Sequence, residues 1–409
     1  MKKLKKYKTD LLIILLFSII YIAMALLLTR GEYVFAAITD FPMQHYVFPE
    51  YFRNLFLKTK DLLPDFALNI GGGQNIYNFA YYGLLSPLIL VSYILPQIPM
   101  FYYLIGMSFL TTISSAFLFY KFLIHKKIDN KTSLVVSLLF LFATPIMFHA
   151  KRHIMFVNYF PFLMLGLFGI DRYIEKKKSM LLTISTVLMI LTSFYYSVAG
   201  IIVLIIYGIY CYSKEKNTIK DWLKNLLILS KPFIFAVLIT AILWLPTAYT
   251  LLTGRGESIN DIVLWHLLIP SFKSFYTAYA PGITLLEFIL IGILVIDKKI
   301  DKNIRFLALT IIIIFLFPIF NYILNGTLYE NAKSLIPFLP LALFLVAISL
   351  TNLNRHKKKI QAILLTTTCI ISLASNLTDP LIKKESIKEC TQQEYKELVE
   401  SITEKDQDM

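Results

Sequence analysis

The sequence predicts an all-α integral membrane protein: a bundle of about eleven transmembrane helices whose long first extracytoplasmic loop carries interfacial helices. Three observations carry this. Of 409 residues, 57% are hydrophobic and 16% charged, against about 45–50% and 25% in ordinary soluble domains. The apolar residues form long runs nearly free of charge, such as Leu11 to Leu28, Leu134 to Phe148 and Phe306 to Leu324. Each run approaches the roughly 20 residues that cross a bilayer as a helix. Finally, the basic residues cluster at Lys2 to Lys8, Lys126 to Lys131, Arg172 to Lys178, Lys214 to Lys231, Lys298 to Arg305 and Arg355 to Lys359.

If the N-terminus is cytoplasmic, every one of these clusters falls at a cytoplasmic turn, as the positive-inside rule expects. The net charge of +14 is then explained without nucleic acid, and the partner it implies is the lipid bilayer. A lysine-rich start before an apolar run also suits a secretory signal. No small-residue cleavage site follows, and apolar segments continue to Ser375, so the first run reads as an uncleaved helix.

Helices are expected near residues 11–28, 98–123, 132–149, 156–171, 179–194, 197–213, 231–251, 282–296, 306–324, 335–351 and 361–376. Residues 1–376 thus form one polytopic domain, and 377–409 a polar extracytoplasmic tail. Gly83 to Leu95 is apolar but too short to span, and counting it would invert the charge rule downstream; it reads as interfacial or re-entrant. Cys211, Cys369 and Cys390 show no disulfide or metal-ligand pattern.

Four pieces face outward. The longest, Thr29 to Tyr82, contains Asp40, Gln44 and His45, then Phe48, Phe52, Leu55 and Phe56 at helical spacing, then Gly71, Gly72 and Gly73. The helical spacing suits a helix along the membrane surface. The glycines match no phosphate-binding fingerprint, and no strand is expected before them, so they read as a turn. The other pieces are Ala150 to Asn158, Thr253 to Pro281 and Asn325 to Ser334.

Asp40 is the leading catalytic candidate, a carboxylate just beyond the first helix; its competing reading is a helix cap before Pro42. Lys151, Arg152, Arg255 and Lys333 are outward cations suited to a lipid-linked phosphate, or to snorkelling toward ordinary phospholipid. His45, His153 and His266 lie in different pieces without ligand spacing, so no metal or other cofactor is assigned.

The loop order Thr39, Asp40, Phe41, Gln44, Tyr46, then Gly72, Gly73, Asn75, then Tyr81, Tyr82, Ser86, Pro87 resembles the first outer loop of bacterial YfhO-type membrane proteins, which are similar to GT-C glycosyltransferases. Asn158, Pro161 and Leu165, the run Ser193 to Tyr196, Leu245, Pro246 and Arg255, and Asn325, Gly326, Tyr329 and Asn331 extend the likeness across roughly residues 10–376. The resemblance implies Asp40 as the catalytic residue of an enzyme in the bacterial cell membrane. Such an enzyme takes a sugar from a polyprenyl-phosphate carrier and transfers it to a cell-envelope polymer such as lipoteichoic acid. Gln44, Asn75, Tyr82, His153, Tyr329 and Asn331 become substrate-binding candidates. Lys333 stands where the family resemblance leads one to expect arginine. Such proteins tend to continue into a large outer C-terminal domain, so the chain reads either as a short form or as a truncated one whose polar tail would be the start of that domain. The alternatives are a flippase or transporter for lipid-linked glycans and a non-catalytic relative that binds lipid carriers.

Overall fold

Every apolar segment anticipated above is helical in the structure, a computed structural model that describes residues 2–30, 35–37, 39–213, 219–254, 263–272, 277–353 and 356–378. The first long helix is α1 (Lys2–Thr29), followed by α2 (Val47–Thr59) and α3 (Pro87–Leu90) in the long loop. Then come α4 (Met100–His125), α5 (Asn130–Phe142), α6 (Thr144–Lys151), α7 (Phe160–Lys176), α8 (Met180–Thr192), α9 (Phe194–Tyr212), α10 (Ile219–Ile239) and α11 (Ala241–Gly254). The chain finishes with α12 (Leu285–Ile296), α13 (Lys302–Leu316), α14 (Pro318–Leu324), α15 (Leu339–Asn352) and α16 (Lys357–Thr378).

Among the described residues, six helices are long and apolar enough to cross a membrane alone, and up to nine spans result if each bent pair counts as one. The expected number of about eleven is reached only if the shorter apolar helices α8 and α12 also cross. Burial sorts the bundle into layers. In the apolar part of the stretch Ala332–Asn352 89% of the residues are buried, against 22% in Tyr7–Thr29 of α1 and 28% in α16. The sequence explains the difference, because α15 is apolar on every face and belongs inside.

The three bent pairs are α5 with α6 (48°), α10 with α11 (73°) and α13 with α14 (80°). Proline follows each break: Pro145 and Pro318 sit at the first turn of α6 and α14, and Pro246 lies within α11. A proline lacks the N–H and clashes with the preceding turn. Carbonyls freed by a break must be satisfied inside a bilayer; at the second break the Trp244 indole N–H donates to the Val237 carbonyl at 2.8 Å. The short halves gather at one end. There α11 packs on Ile76–Tyr82 of the long loop and α14 on the 3-10 helix Ala332–Phe338.

At the opposite, basic end, ion pairs tie the helices in register. Lys121 bonds Asp10 at 2.9 Å, Lys126 bonds Asp171 at 2.7 Å, and the Tyr207 hydroxyl donates to the same Asp171 oxygen at 2.7 Å. The α7–α8 hairpin closes on Gly169, where a Cβ would lie 2.8 Å from the Leu182 Cα. Backbone cannot give way as a flexible side chain can, so Gly169→Val is expected to cost about 1–3 kcal/mol by overpacking. Thermal unfolding of the purified variant checks this; an unchanged midpoint would show that the hairpin is not tightly packed there.

The long loop has its own core of Phe41, Phe52, Ile76, Ile89, Phe101 and Ile154. The surface helix expected from Phe48 to Phe56 is α2, pinned by Arg53, which donates to the Ile98 carbonyl at 2.8 Å and pairs with Glu50 at 3.2 Å. Gly83 to Leu95 folds as α3 and a 3-10 turn, and does not cross. One feature departs from the all-helical expectation: Phe66–Ala67 pairs antiparallel with Gln74–Asn75. The glycines make that hairpin, since Gly71, Gly72 and Gly73 all have positive φ.

Candidate active site at the loop end of the bundle

Asp40 is not a helix cap. It precedes the π-helical turn Phe41–His45, but its side chain makes no capping hydrogen bond. The backbone does the work instead, the Asp40 carbonyl accepting from the N–H groups of Gln44 and His45, each at 2.9 Å. Its dihedrals, φ 58° and ψ −45°, lie in a sparsely populated region for a non-glycine residue, of the sort that costs about 1–3 kcal/mol and collects at functional sites. Nearby, Ala37 N–H donates to the Lys151 carbonyl at 2.8 Å, which fastens this segment to the end of α6.

The carboxylate faces the turn after α6. Arg152 Nε donates to Asp40 Oδ2 at 2.9 Å, and His153 Nε2 lies 3.0 Å from the same oxygen. The other oxygen has no hydrogen-bond partner among the described residues. The bond from His153 holds the Asp40 carboxyl well below the usual carboxylate range and Arg152 adds to this, while partial burial works the other way. Asp40 is therefore ionised throughout the neutral range. Because its pKa is depressed, whatever it adds to stability is present above the usual range and lost only in strong acid.

Burial, helped by the neighbouring His153, holds His45 well below the usual histidine range. Its ring lies 5.2 Å from that of His153 and 5.3 Å from that of Tyr82, and its buried Nδ1 has no hydrogen-bond partner among the described residues. Tyr82 donates to Gln44 Oε1 at 2.9 Å. At His153 two influences oppose each other: burial disfavours the charged ring, while the hydrogen bond and charge of Asp40 favour it.

Lys333 joins this cluster from the far side. Its ammonium lies over the rings of Tyr329 (5.1 Å), Tyr195 (5.4 Å) and Phe156 (5.8 Å). Phe156 in turn stacks on His153 with centroids 5.0 Å apart. Among the described residues no carboxylate lies within ion-pair distance of Lys333. Tyr195 also bonds Asn325, which holds the loop carrying Tyr329 against α9.

The structure thus brings together Asp40, Gln44, Tyr82, Arg152, His153, Tyr329 and Lys333. Other candidates have local tasks. The Asn75 side chain caps Ile76–Tyr82 by accepting from Tyr77 N–H at 3.0 Å, and that of Asn331 accepts from Lys333 N–H at 2.9 Å. Lys151 is buried over Phe35 and Phe148. His266 sits against Trp265 on the 3-10 helix Leu264–Leu268. Arg255 lies outside the described residues. Among those described, no group of three or more His, Cys, Asp and Glu is arranged to hold a metal ion.

Three participants escaped the sequence reading: His149, Phe156 and Tyr279. His149 and His153 are four residues apart, a spacing that would have signalled one helical face, but the apolar run to Phe148 concealed it.

Fold and site together define a multi-pass, all-α membrane protein with a charged and aromatic cluster at one end of its bundle. The model of the family described as bacterial membrane protein YfhO matches residues 11–296. The chain belongs to the YfhO family. No curated protein matches it. The match takes in Asp40, Arg152 and His153 and stops before the segment of Tyr329 and Lys333.

Proposed function

We propose that the protein is a GT-C-type glycosyltransferase that moves a sugar from a polyprenyl-phosphate carrier to an acceptor in the cell envelope, such as lipoteichoic acid. The observation that carries this is the arrangement of charge. A carboxylate free of any capping duty keeps one oxygen unbonded among the described residues, and across His153 and Phe156 from it Lys333 is held by three rings with no counter-ion among those residues.

In the reaction Asp40 takes the proton of the acceptor hydroxyl. The hydroxyl oxygen forms its bond to the sugar's anomeric carbon, and the bond from that carbon to the phosphate oxygen breaks. The electron pair leaves with the lipid phosphate, whose growing charge Arg152 and Lys333 stabilise. Alone, Asp40 is a weak base, because Arg152 and His153 both hold it. An anionic donor gives those groups a second anion to bind, which loosens their grip on Asp40 and raises its basicity. Gln44, Tyr82 and Tyr329 line the same cluster and suit contacts to sugar hydroxyls.

Deep acidic groups argue against transport as the main task. Glu287 is engaged in capping α12 with Thr284, and Asp171 in the ion-pair network of the basic end. The test is transfer by the purified protein in vesicles, supplied with a panel of polyprenyl-phosphate-linked labelled hexoses and isolated envelope polymer. Protein-dependent label in the polymer is expected; its absence across the panel, with the lipid instead flipped between leaflets, would favour the transporter.

This reading requires the loop end to face outward. Cysteines placed at Lys127, Lys177 and Lys299 should resist an impermeant thiol reagent in intact cells while one at Asn75 reacts. Labelling of the first three would invert the topology and remove the site from the outer leaflet.

A further inference from the structure

Behind Asp40, three polar contacts run in series into the protein. His153 Nε2 lies 3.0 Å from Asp40 Oδ2, His153 Nδ1 lies 3.0 Å from His149 Nδ1, and His149 Nε2 lies 3.0 Å from the carbonyl oxygen of Ala278. Each distance is that of a hydrogen bond, and each hydrogen bond needs one proton. The two ends of the series are acceptors only: a backbone carbonyl and an ionised carboxylate. Two neutral imidazoles bring one proton apiece. In every neutral arrangement of the pair, at least one of the three contacts therefore opposes lone pair to lone pair. His149 is fully buried and His153 nearly so, among Phe148, Phe156 and Tyr279, where an unmade hydrogen bond is most costly.

The missing proton belongs either to Asp40 or to the rings. Arg152 donates to the same Asp40 oxygen at 2.9 Å, and a guanidinium beside a carboxyl favours its ionised form. That leaves the rings.

We propose that His149 is a positioning residue which, anchored on the Ala278 carbonyl, keeps His153 protonated at both ring nitrogens. The pair then presents a third cation, beside Arg152 and Lys333, to an anionic donor phosphate. The last step rests on the donor reading above. Burial opposes charge on His153, but neutralising the pair forfeits a hydrogen bond in the same apolar shell: Asp40 loses the donor His153, or the Ala278 carbonyl loses the donor His149, or the two Nδ1 lone pairs face each other. The ionisable side chains around the pair are Asp40, Arg152, His45, Tyr279 and Lys333. Asp40 alone among them is acidic at neutral pH, and it supplies the counter-charge. Since the added charge is lost as pH rises, donor affinity should fall toward alkaline pH.

The experiment uses the full chain labelled with 15N-histidine, as wild type and as His149→Phe. The phenyl ring fills the same apolar space but offers His153 Nδ1 no acceptor and the Ala278 carbonyl no donor; His149→Leu replaces it should the first variant not fold. At pH 7 the wild-type spectrum should show His153 with two N–H nitrogens, a signature absent from the variant. A neutral His153 in the wild type, or the same signature in both proteins, overturns the proposal.

Binding of a synthetic polyprenyl-phosphate hexose gives the second readout, because this phosphodiester keeps its charge over the range used. Wild-type affinity should fall about tenfold between pH 6 and pH 9, the scale of one charge-assisted contact, and the variant should bind weakly at both. An equal pH dependence in the two proteins overturns the role of the pair in presenting charge. No binding at any pH with the His153 signature intact refutes the donor reading alone and leaves the protonated pair standing.

Discussion

Replacing Asp40 by asparagine is expected to leave the protein at its normal level in the membrane while reducing sugar transfer by about 100- to 10,000-fold, the usual loss for a general base. The two halves of that result have separate causes. The fold does not use the Asp40 side chain as a cap, so helix formation loses nothing. An asparagine carbonyl can still accept from Arg152 Nε and His153 Nε2, which keeps the turn after α6 in place. It cannot accept the proton of the acceptor hydroxyl. Normal expression with transfer abolished supports the catalytic assignment; wild-type transfer by membranes holding matched amounts of Asp40→Asn would remove Asp40 from it.

The second large effect is expected at Lys333. In Lys333→Met the side chain keeps its length and its contact with the rings of Phe156, Tyr195 and Tyr329, so the cluster stays packed. What disappears is the one cation there with no carboxylate beside it among the described residues. A hydrogen bond from a charged group contributes about 1.5–3 kcal/mol, which corresponds to a tenfold to hundredfold loss of donor affinity. Lys333→Arg should retain most of the binding, since the guanidinium also stacks on aromatic faces and meets phosphate through two N–H groups. Unchanged affinity in Lys333→Met would return this lysine to the role of a snorkelling surface cation.

Much of this architecture is legible in the sequence because membrane helices obey two simple rules, length and charge asymmetry. The runs from Leu11 to Leu28 and from Phe306 to Leu324 declare themselves by composition alone. Less visible is that Phe306 to Leu324 is two helices crossing at 80°; hydropathy has no direction, and only the pair Phe317 and Pro318 hints at the corner. The small sheet was likewise missed, since two-residue strands have no periodicity to detect.

At the site, Asp40 stood out by position, yet position could not separate a base from a cap. The structure removes the cap, because the side chain makes no capping hydrogen bond, and the role of base remains the proposal. Arg152 and His153 were visible as cations on the wrong side of the charge rule, and their common partner is Asp40. Lys333 was expected to act as a phosphate ligand, but its three aromatic neighbours come from separate segments, which no local spacing joins. His149 was hidden for a different reason: it ends an apolar run, and its partner Ala278 is far away in the chain.

The assignment of this end of the bundle to a lipid-phosphate sugar is tested most directly by photocrosslinking. A polyprenyl-phosphate hexose carrying a diazirine near its phosphate would be photolysed with the protein in vesicles, and the labelled peptides mapped by mass spectrometry. Label is expected on Phe156, Tyr195, Tyr329 or Lys333, and should disappear when excess donor without the diazirine is present. Label confined to the basic end around Tyr207 and Tyr212, or label at the cluster that the competing donor does not displace, would contradict the assignment.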